Sequence, residues 1–214
     1  MTIAVLLCDD HPVVRAGYRR LLEQDGDIAV VHEAGDGEAA YAAWTAAPPD
    51  VLVTDLSMPG GGGLALLRRV RARDAQARVL VFTMHDSALL VRRTFDEGAR
   101  GFLTKSSEPE ALIDAVRTLH AGRRYLSPEL PPAWLERHPT DGDARLASLS
   151  AREFEVFRLI AAGCSAAQCA ERLHLSAKTV ANHQSAIKDK LGVATSAALA
   201  HLAIRHGLIE ASSC

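Results

Sequence analysis

The chain has few cysteines. Its four copies, Cys8, Cys164, Cys169 and Cys214, form no CxxC pair and no metal-ligand spacing. That pattern argues against a thiolate metal site. Cys8 falls in an apolar run and Cys169 in a helical pattern, so both are expected to be buried thiols. Long hydrophobic runs are missing too. None approaches the roughly 20 residues of a membrane-spanning helix, and no signal peptide precedes Ile3. A cytoplasmic protein with no membrane partner is therefore expected. No internal repeat is present, and the formal net charge is only −2. Hydrophobic residues make up 48%, which excludes a disordered chain, and 214 residues suit two small domains with separate cores.

Short apolar runs are what the first half does contain. Ile3-Ala4-Val5-Leu6-Leu7 ends in Cys8-Asp9-Asp10-His11-Pro12. Val51-Leu52-Val53-Thr54 ends in Asp55 and a turn over Met58-Pro59-Gly60-Gly61-Gly62-Gly63. Val79-Leu80-Val81-Phe82 ends in Thr83, and Gly101-Phe102-Leu103-Thr104 ends in Lys105. Runs of this length bounded by turn signals read as buried strands. Helical patterns lie between them. Val14, Tyr18, Leu21 and Leu22 mark one, and Leu64, Leu67 and Val70 mark another. Leu112, Ala115, Val116 and Leu119 mark a third, led by Ser107-Glu108-Pro109-Glu110 as a capping box. Alternating strands and helices predict a parallel sheet covered on both faces.

In such a sheet the carboxyl ends of the strands share one edge, where ligands bind. Asp9, Asp10, Asp55, Thr83 and Lys105 then converge there. Clustered carboxylates repel, so a cation must neutralise them or some must protonate. Hard oxygen ligands on a small, partly open site suit Mg²⁺, which also accepts phosphate oxygens. Lys105 supplies a compact positive charge for Asp55 or a phosphoryl oxygen, and Thr83 a hydroxyl. Asp55 is the expected nucleophile, since carboxylates form acyl-phosphates. Met84, beside Thr83, reads first as a gap filler.

The order Asp9-Asp10, Asp55, Thr83, Lys105 resembles the receiver domain of bacterial two-component response regulators. The Asp-Asp-His-Pro and Met-Pro-Gly stretches resemble its NarL/FixJ-type branch, over about residues 1–122. The resemblance implies a doubly wound, parallel five-stranded α/β sheet of flavodoxin-like form. It implies Asp55 as phosphoacceptor, Asp10 as a direct Mg²⁺ ligand, Asp9 in support and the Ser57 carbonyl as a further ligand. It makes Thr83 and Lys105 the contacts to the phosphoryl group. It makes Thr83 and Phe102 the switch pair. Many relatives carry Tyr where Phe102 stands, so any readout here runs through packing.

Residues 123–145 crowd Pro, Gly and acids without periodicity and read as a linker, interrupted by Trp134 and Leu135 as a short helical turn. Four helical segments follow. Ser150-Ala151-Arg152-Glu153 and Ser165-Ala166-Ala167-Gln168 are capping boxes. His174-Leu175-Ser176 is a tight turn, and Ser176 caps a helix from about Ala177 to Leu191 that stops before Gly192. Thr195-Ser196 starts the last. A short helix, a tight turn and a longer helix predict a helix-turn-helix in a small all-α domain.

On the third of these helices Val180, Ile187 and Leu191 share the inward face. Lys178, Ala181, Asn182, Ser185 and Lys188 lie outward, with Thr179 between. Asn pairs with adenine edges, Ser is promiscuous, and lysines suit phosphates. Leu149 to Glu153, Ser176 to His183 and Lys190-Leu191-Gly192-Val193 resemble the LuxR-type helix-turn-helix of the same branch, over about residues 146–214. Ala181 stands where many relatives have Lys or Arg, and suits a thymine methyl instead. Residues 1–145 hold 17 Lys/Arg against 21 Asp/Glu, and residues 146–214 hold 7 against 5. So weak a basic excess calls for two copies on double-stranded DNA, since the electrostatic term grows with the phosphates contacted.

The resemblance implies a regulator rather than an enzyme, with only self-phosphorylation and autodephosphorylation chemistry. It implies a sensor histidine kinase, a DNA operator and a homodimer promoted by phosphorylation as partners, with RNA polymerase as a further one. Two other classes stand beside it. An aspartyl-phosphate hydrolase shares Asp, Thr and Lys, but pairs the nucleophile with a second Asp two residues on, where this chain has Ser57. A DNA-binding regulator that uses its receiver only as a scaffold has no use for clustered carboxylates.

Overall fold

The computed structural model describes residues 2–58, 62–135, 145–146, 148–173 and 175–209. The first half alternates strands and helices. They run β1 (Ile3–Cys8), α1 (Pro12–Glu23), β2 (Ile28–Ala34), α2 (Gly37–Ala46), β3 (Val51–Thr54), α3 (Gly62–Arg73), β4 (Val79–Thr83), α4 (Ala88–Asp96), β5 (Gly101–Thr104) and α5 (Glu110–His120). All pairings are parallel, in the order β2-β1-β3-β4-β5. That is the doubly wound order in which ligands bind outside the carboxyl ends of the strands, at the switch between β1 and β3.

The sheet has one strand more than the five expected. Tyr125–Leu126, inside the segment read as linker, forms β6 parallel to β5, pairing Tyr125 with Gly101 and Leu126 with Phe102. Two residues are too few to show a strand period, so the sequence carries no sign of it. Just beyond, Pro132–Trp134 forms the short helical turn, and Leu135 is exposed.

Alternation sorts the strand side chains between two faces. Val5, Leu7, Val51, Val53, Leu80, Phe82 and Leu103 pack with Leu22 of α1 and with Leu112, Ile113, Val116 and Leu119 of α5. Tyr18 meets the Phe82 ring edge-on at 4.7 Å. Phe102 belongs to the other face, where it pairs with Val81 and is fully buried.

The predicted cap of α5 is not formed. Pro109 stands at the N-cap without a side-chain hydrogen bond, and the Ser107 hydroxyl lies 2.9 Å from the Thr104 hydroxyl instead. The competing partner is buried, so the serine turns towards the sheet rather than the helix.

By its contacts the chain divides into residues 1–84 with 94–132, and 85–93 with 133–214. In the second unit the helices are α6 (Ala151–Ala161), α7 (Ala166–Leu173), α8 (Ala177–Leu191) and α9 (Ser196–Arg205). Both capping boxes are made, since each Ser hydroxyl accepts an N–H while Glu153 and Gln168 reach back to the Ser150 and Ser165 N–H groups. Ser176 caps α8 through the Thr179 N–H, and Gly192 ends it at φ 68°, a conformation that favours glycine. Phe154, Phe157, Leu173, Val180, Ile187, Leu191, Leu199 and Leu208 form the core. In the same unit, buried Arg93 donates to the carbonyls of Leu146 and Leu149 and lies over the Phe154 ring. Pro59, Gly60, Gly61, His174 and Cys214, which carried parts of the sequence reading, lie outside the described residues.

Candidate functional site

The ends of β1, β3 and β5 bring three charges together. Lys105 Nζ donates to Asp9 Oδ2 at 2.6 Å and to Asp55 Oδ2 at 2.7 Å. All three side chains are buried, with 6%, 2% and 5% exposed. A single ammonium thus bridges two carboxylates that water barely reaches. Burial alone raises the Asp9 carboxyl, but the Lys105 ammonium and the His11 N–H outweigh it and hold the group below its usual 3.8. Burial works against the charged form of Lys105, and Asp55 and Asp9 more than reverse that.

Local backbone fixes each group. The Asp55 N–H donates to the Cys8 carbonyl across the β1–β3 junction, and the Ser57 N–H donates to Asp55 Oδ1 at 3.2 Å. Thr54 donates its hydroxyl to the Asp55 carbonyl. The Lys105 N–H donates to the Thr83 carbonyl at 2.8 Å, which ties the lysine to the end of β4. Thr83 is wholly buried. Arg15 of α1 holds the Asp9 carbonyl at 2.6 Å. Gly63 opens α3 so close to Asp55 that a Cβ there would overlap the Asp55 carbonyl. Cys8, under the pocket, lies 3.3 Å from the Met58 sulfur, and burial pushes its thiol up to about 12. It is a packing residue with no nucleophilic character.

Asp10 is placed differently. It is half-buried, and its Oδ1 is shielded from solvent without a hydrogen bond, with His11 Nδ1 2.9 Å away. Asp9, Asp10 and His11 can offer ligand atoms within 4.8 Å of one another. His11 is two-thirds exposed, at the rim of the set. The carboxylate oxygens, one of them without a hydrogen bond, form a donor set that fits a hard divalent cation of the Mg²⁺ kind. Ser57 is exposed beside it, and Met84 is 68% exposed.

Sequence reasoning missed three parts of this site. It assigned Lys105 to Asp55 and not to Asp9. It gave Gly63 no role beyond a turn, although its place at the end of a glycine run was a usable signal. It left Ser127, which sits 2.7 Å from the Thr104 N–H, in the linker.

In the helical unit Lys178, Ala181, Asn182 and Ser185 lie exposed on α8, while Lys188 and Thr179 are half-buried. The Thr179 hydroxyl is 2.8 Å from that of Ser176 at the cap. Val180, Ile187 and Leu191 are buried on the opposite side. Lys190, exposed at the far end, donates to Glu153 at 2.7 Å and so locks α8 to α6. Gln184 reaches Ser196 of α9 at 3.2 Å. These ties hold α8 rigid with a polar, lysine-flanked face outward.

Residues 5–117 match the family described as the response regulator receiver domain. Residues 147–203 match the bacterial regulatory proteins of the luxR family. The chain is 40% identical over 211 residues to the transcriptional activator protein ExaE of Pseudomonas putida, covering 97% of this chain and 99% of that one. It is 37% identical over 213 residues to the response regulator UvrY of Escherichia coli, covering 99% and 98%. Among solved structures, RcsB from Salmonella enterica serovar Typhimurium, bound to promoter rprA in the presence of phosphomimetic BeF3-, matches with a TM-score of 0.68. The identity there is 29%, over 94% of this chain and 98% of that one.

Proposed function

This chain belongs to the response regulators that join a receiver domain to a LuxR-type DNA-binding domain, and on that premise we propose that Asp55 is its phosphoacceptor. It is a phosphorylation-gated transcription regulator, and its receiver implies a histidine kinase as partner. The observation that carries the assignment is the bridge from Lys105 to Asp55 and Asp9 at the strand ends. A carboxylate so held is a ready nucleophile beside a ready positive charge.

An Asp55 oxygen attacks the phosphorus of the kinase's phosphohistidine. The new O–P bond forms as the P–N bond breaks, and that electron pair stays on the imidazole. Asp10, Asp9, Asp55 and the Ser57 carbonyl are the residues that would hold Mg²⁺. When bound, the ion offsets carboxylate charge and anchors phosphoryl oxygens. Lys105 needs little motion to meet the transferred group. Thr83, at the end of β4, supplies a hydroxyl. The phosphoryl group adds roughly two negative charges. Phe102 has no hydroxyl and is buried, so its part in the switch is a packing change. A differential effect of about 1–3 kcal/mol suffices to alter dimerisation or operator affinity.

For DNA the reading assigns Lys178 and Lys188 to phosphates, Asn182 and Ser185 to base edges, Ala181 to a thymine methyl and Thr179 to the helix start. RcsB bound to promoter DNA, and RcsB dimers bound to DNA, support operator binding by this chain as a dimer on half-sites about one helical turn apart. RNA polymerase is a further proposed contact. Among the described residues no helix is long and apolar enough to cross a membrane.

Intact-protein mass spectrometry after treatment with acetyl phosphate and Mg²⁺ tests the assignment. One phosphoryl group is expected on the wild type and none on Asp55→Asn. Equal modification of both proteins would overturn it.

A further inference from the structure

Three hydrogen-bonded facts meet at Ser127. The chain enters β6, pairs two residues with β5, and donates the Ser127 N–H to the Phe102 carbonyl at 2.9 Å. Continuing the parallel ladder would require the Thr104 N–H to find the next backbone carbonyl of β6. Pro128 follows, and the Ser127 carbonyl instead accepts from the Leu130 N–H at 3.0 Å as the chain turns away. The Ser127 hydroxyl takes its place, accepting the Thr104 N–H at 2.7 Å. Both residues are buried, Ser127 with 1% exposed and Thr104 with 2%. Water therefore cannot substitute for that oxygen.

A chain of hydroxyls extends the contact around the loop that carries Lys105. Ser127 Oγ lies 3.3 Å from Ser107 Oγ, Ser107 Oγ lies 2.9 Å from Thr104 Oγ1, and the Ser106 hydroxyl donates to the same Thr104 oxygen at 3.1 Å. The residues on both sides of Lys105 are thus fastened to Ser127. The Lys105 N–H itself is fastened to Thr83.

We propose that Ser127 is a positioning residue for phosphoryl transfer: its hydroxyl caps the open end of β5 and sets the loop from which Lys105 reaches Asp55. This rests on the reading of Asp55 as phosphoacceptor. A lysine that must span two carboxylates at 2.6 and 2.7 Å tolerates little displacement. Without the hydroxyl, the buried Thr104 N–H has no acceptor, and the end of β5 must shift to find one.

The test compares Ser127→Ala, Ser127→Thr and Ser127→Val in the full chain. Thr and Val have nearly the same shape and differ in the acceptor. The readout is the rate of phosphorylation by acetyl phosphate with Mg²⁺, taken well below each variant's melting temperature. Ser127→Thr is expected within about threefold of the wild type, and Ser127→Ala and Ser127→Val about tenfold slower, the effect of one lost buried hydrogen bond. Ser107→Ala, at a half-buried site that keeps the Ser127–Thr104 bond, is expected to slow the rate about twofold to threefold. Equal rates for Thr and Val variants, or a wild-type rate for Ser127→Ala, would overturn the proposal. Failure of the wild type to take up phosphate at Asp55 would instead overturn the phosphoacceptor reading.

Discussion

Replacing Lys105 by Ala removes the ammonium that bridges Asp9 and Asp55. At an effective dielectric of about 20, each contact at about 2.7 Å is worth roughly 6 kcal/mol of gross attraction. Desolvation of the three groups offsets most of that. Removing one partner leaves the others buried and unpaired, which costs about 3–5 kcal/mol in comparable sites. Urea unfolding of Lys105→Ala near neutral pH without Mg²⁺ is therefore expected to show a loss of about 3 kcal/mol. The loss should depend on pH. In the wild type Lys105 overcomes the effect of burial on Asp9. In the variant only the His11 contacts still oppose burial, so the folded-state pKa of Asp9 rises. A group so raised stabilises fully below its unfolded pKa and loses that contribution as pH rises. The deficit is then greatest near pH 7 and shrinks toward pH 4. Mg²⁺ should restore more stability to the variant than to the wild type, because it supplies the missing charge and acts by mass action. A loss below about 1 kcal/mol, the size of an exposed ion pair, that ignores pH and Mg²⁺ would show that Lys105 is not a buried bridge between the two carboxylates.

Gly63→Ala places a methyl group against the Asp55 carbonyl, so a loss of about 1–3 kcal/mol in chemical unfolding and a phosphorylation rate at least about tenfold lower are expected. Glu153→Gln weakens both the cap of α6 and the tie to Lys190, with an expected cost of about 1–2 kcal/mol. Burial raises the Glu153 carboxyl, but Lys190 and the Ser150 groups hold it below its usual 4.5. Its contribution is thus complete above that value and is lost as pH falls through the lowered one, which melting curves from pH 7 to pH 3 would trace. Lys178→Ala should weaken binding to all DNA sequences alike and reduce the salt slope by about one, whereas Asn182→Ala should cost about 1–3 kcal/mol at the operator and relax its specificity. Titrations at several salt concentrations separate the two.

The parallel sheet and the four helices of the second unit were readable because local chemistry and tertiary need agree there. Val51 to Thr54 is too apolar and too short for anything but an inner strand, and it is wholly buried. Ser150 with Glu153 and Ser165 with Gln168 mark helix starts by a mechanism that acts within four residues. Ser107 shows where this fails. Its spacing fits a cap equally well, but the buried Thr104 hydroxyl at the end of β5 and Ser127, twenty residues on, engage the hydroxyl instead. β6 was hidden for the same reason, since its two residues become a strand only by pairing with β5. In the pocket, Asp55 and Lys105 were evident from the strand ends. The sharing of Lys105 with Asp9 depends on side-chain reach across the β1–β5 edge, and no local pattern encodes that. On α8, the period separated Val180 and Ile187 from Asn182 and Ser185, but it could not tell that Lys188 would be half-buried.

The proposed switch couples charge arriving at Asp55 to DNA binding. Its most direct test measures operator affinity and dimerisation for the wild type and Asp55→Asn, each with and without acetyl phosphate and Mg²⁺. A gain of about fivefold or more, corresponding to about 1 kcal/mol of coupling, is expected in the wild type alone. Equal affinity for both proteins under all four conditions would contradict the account and leave the receiver as a scaffold.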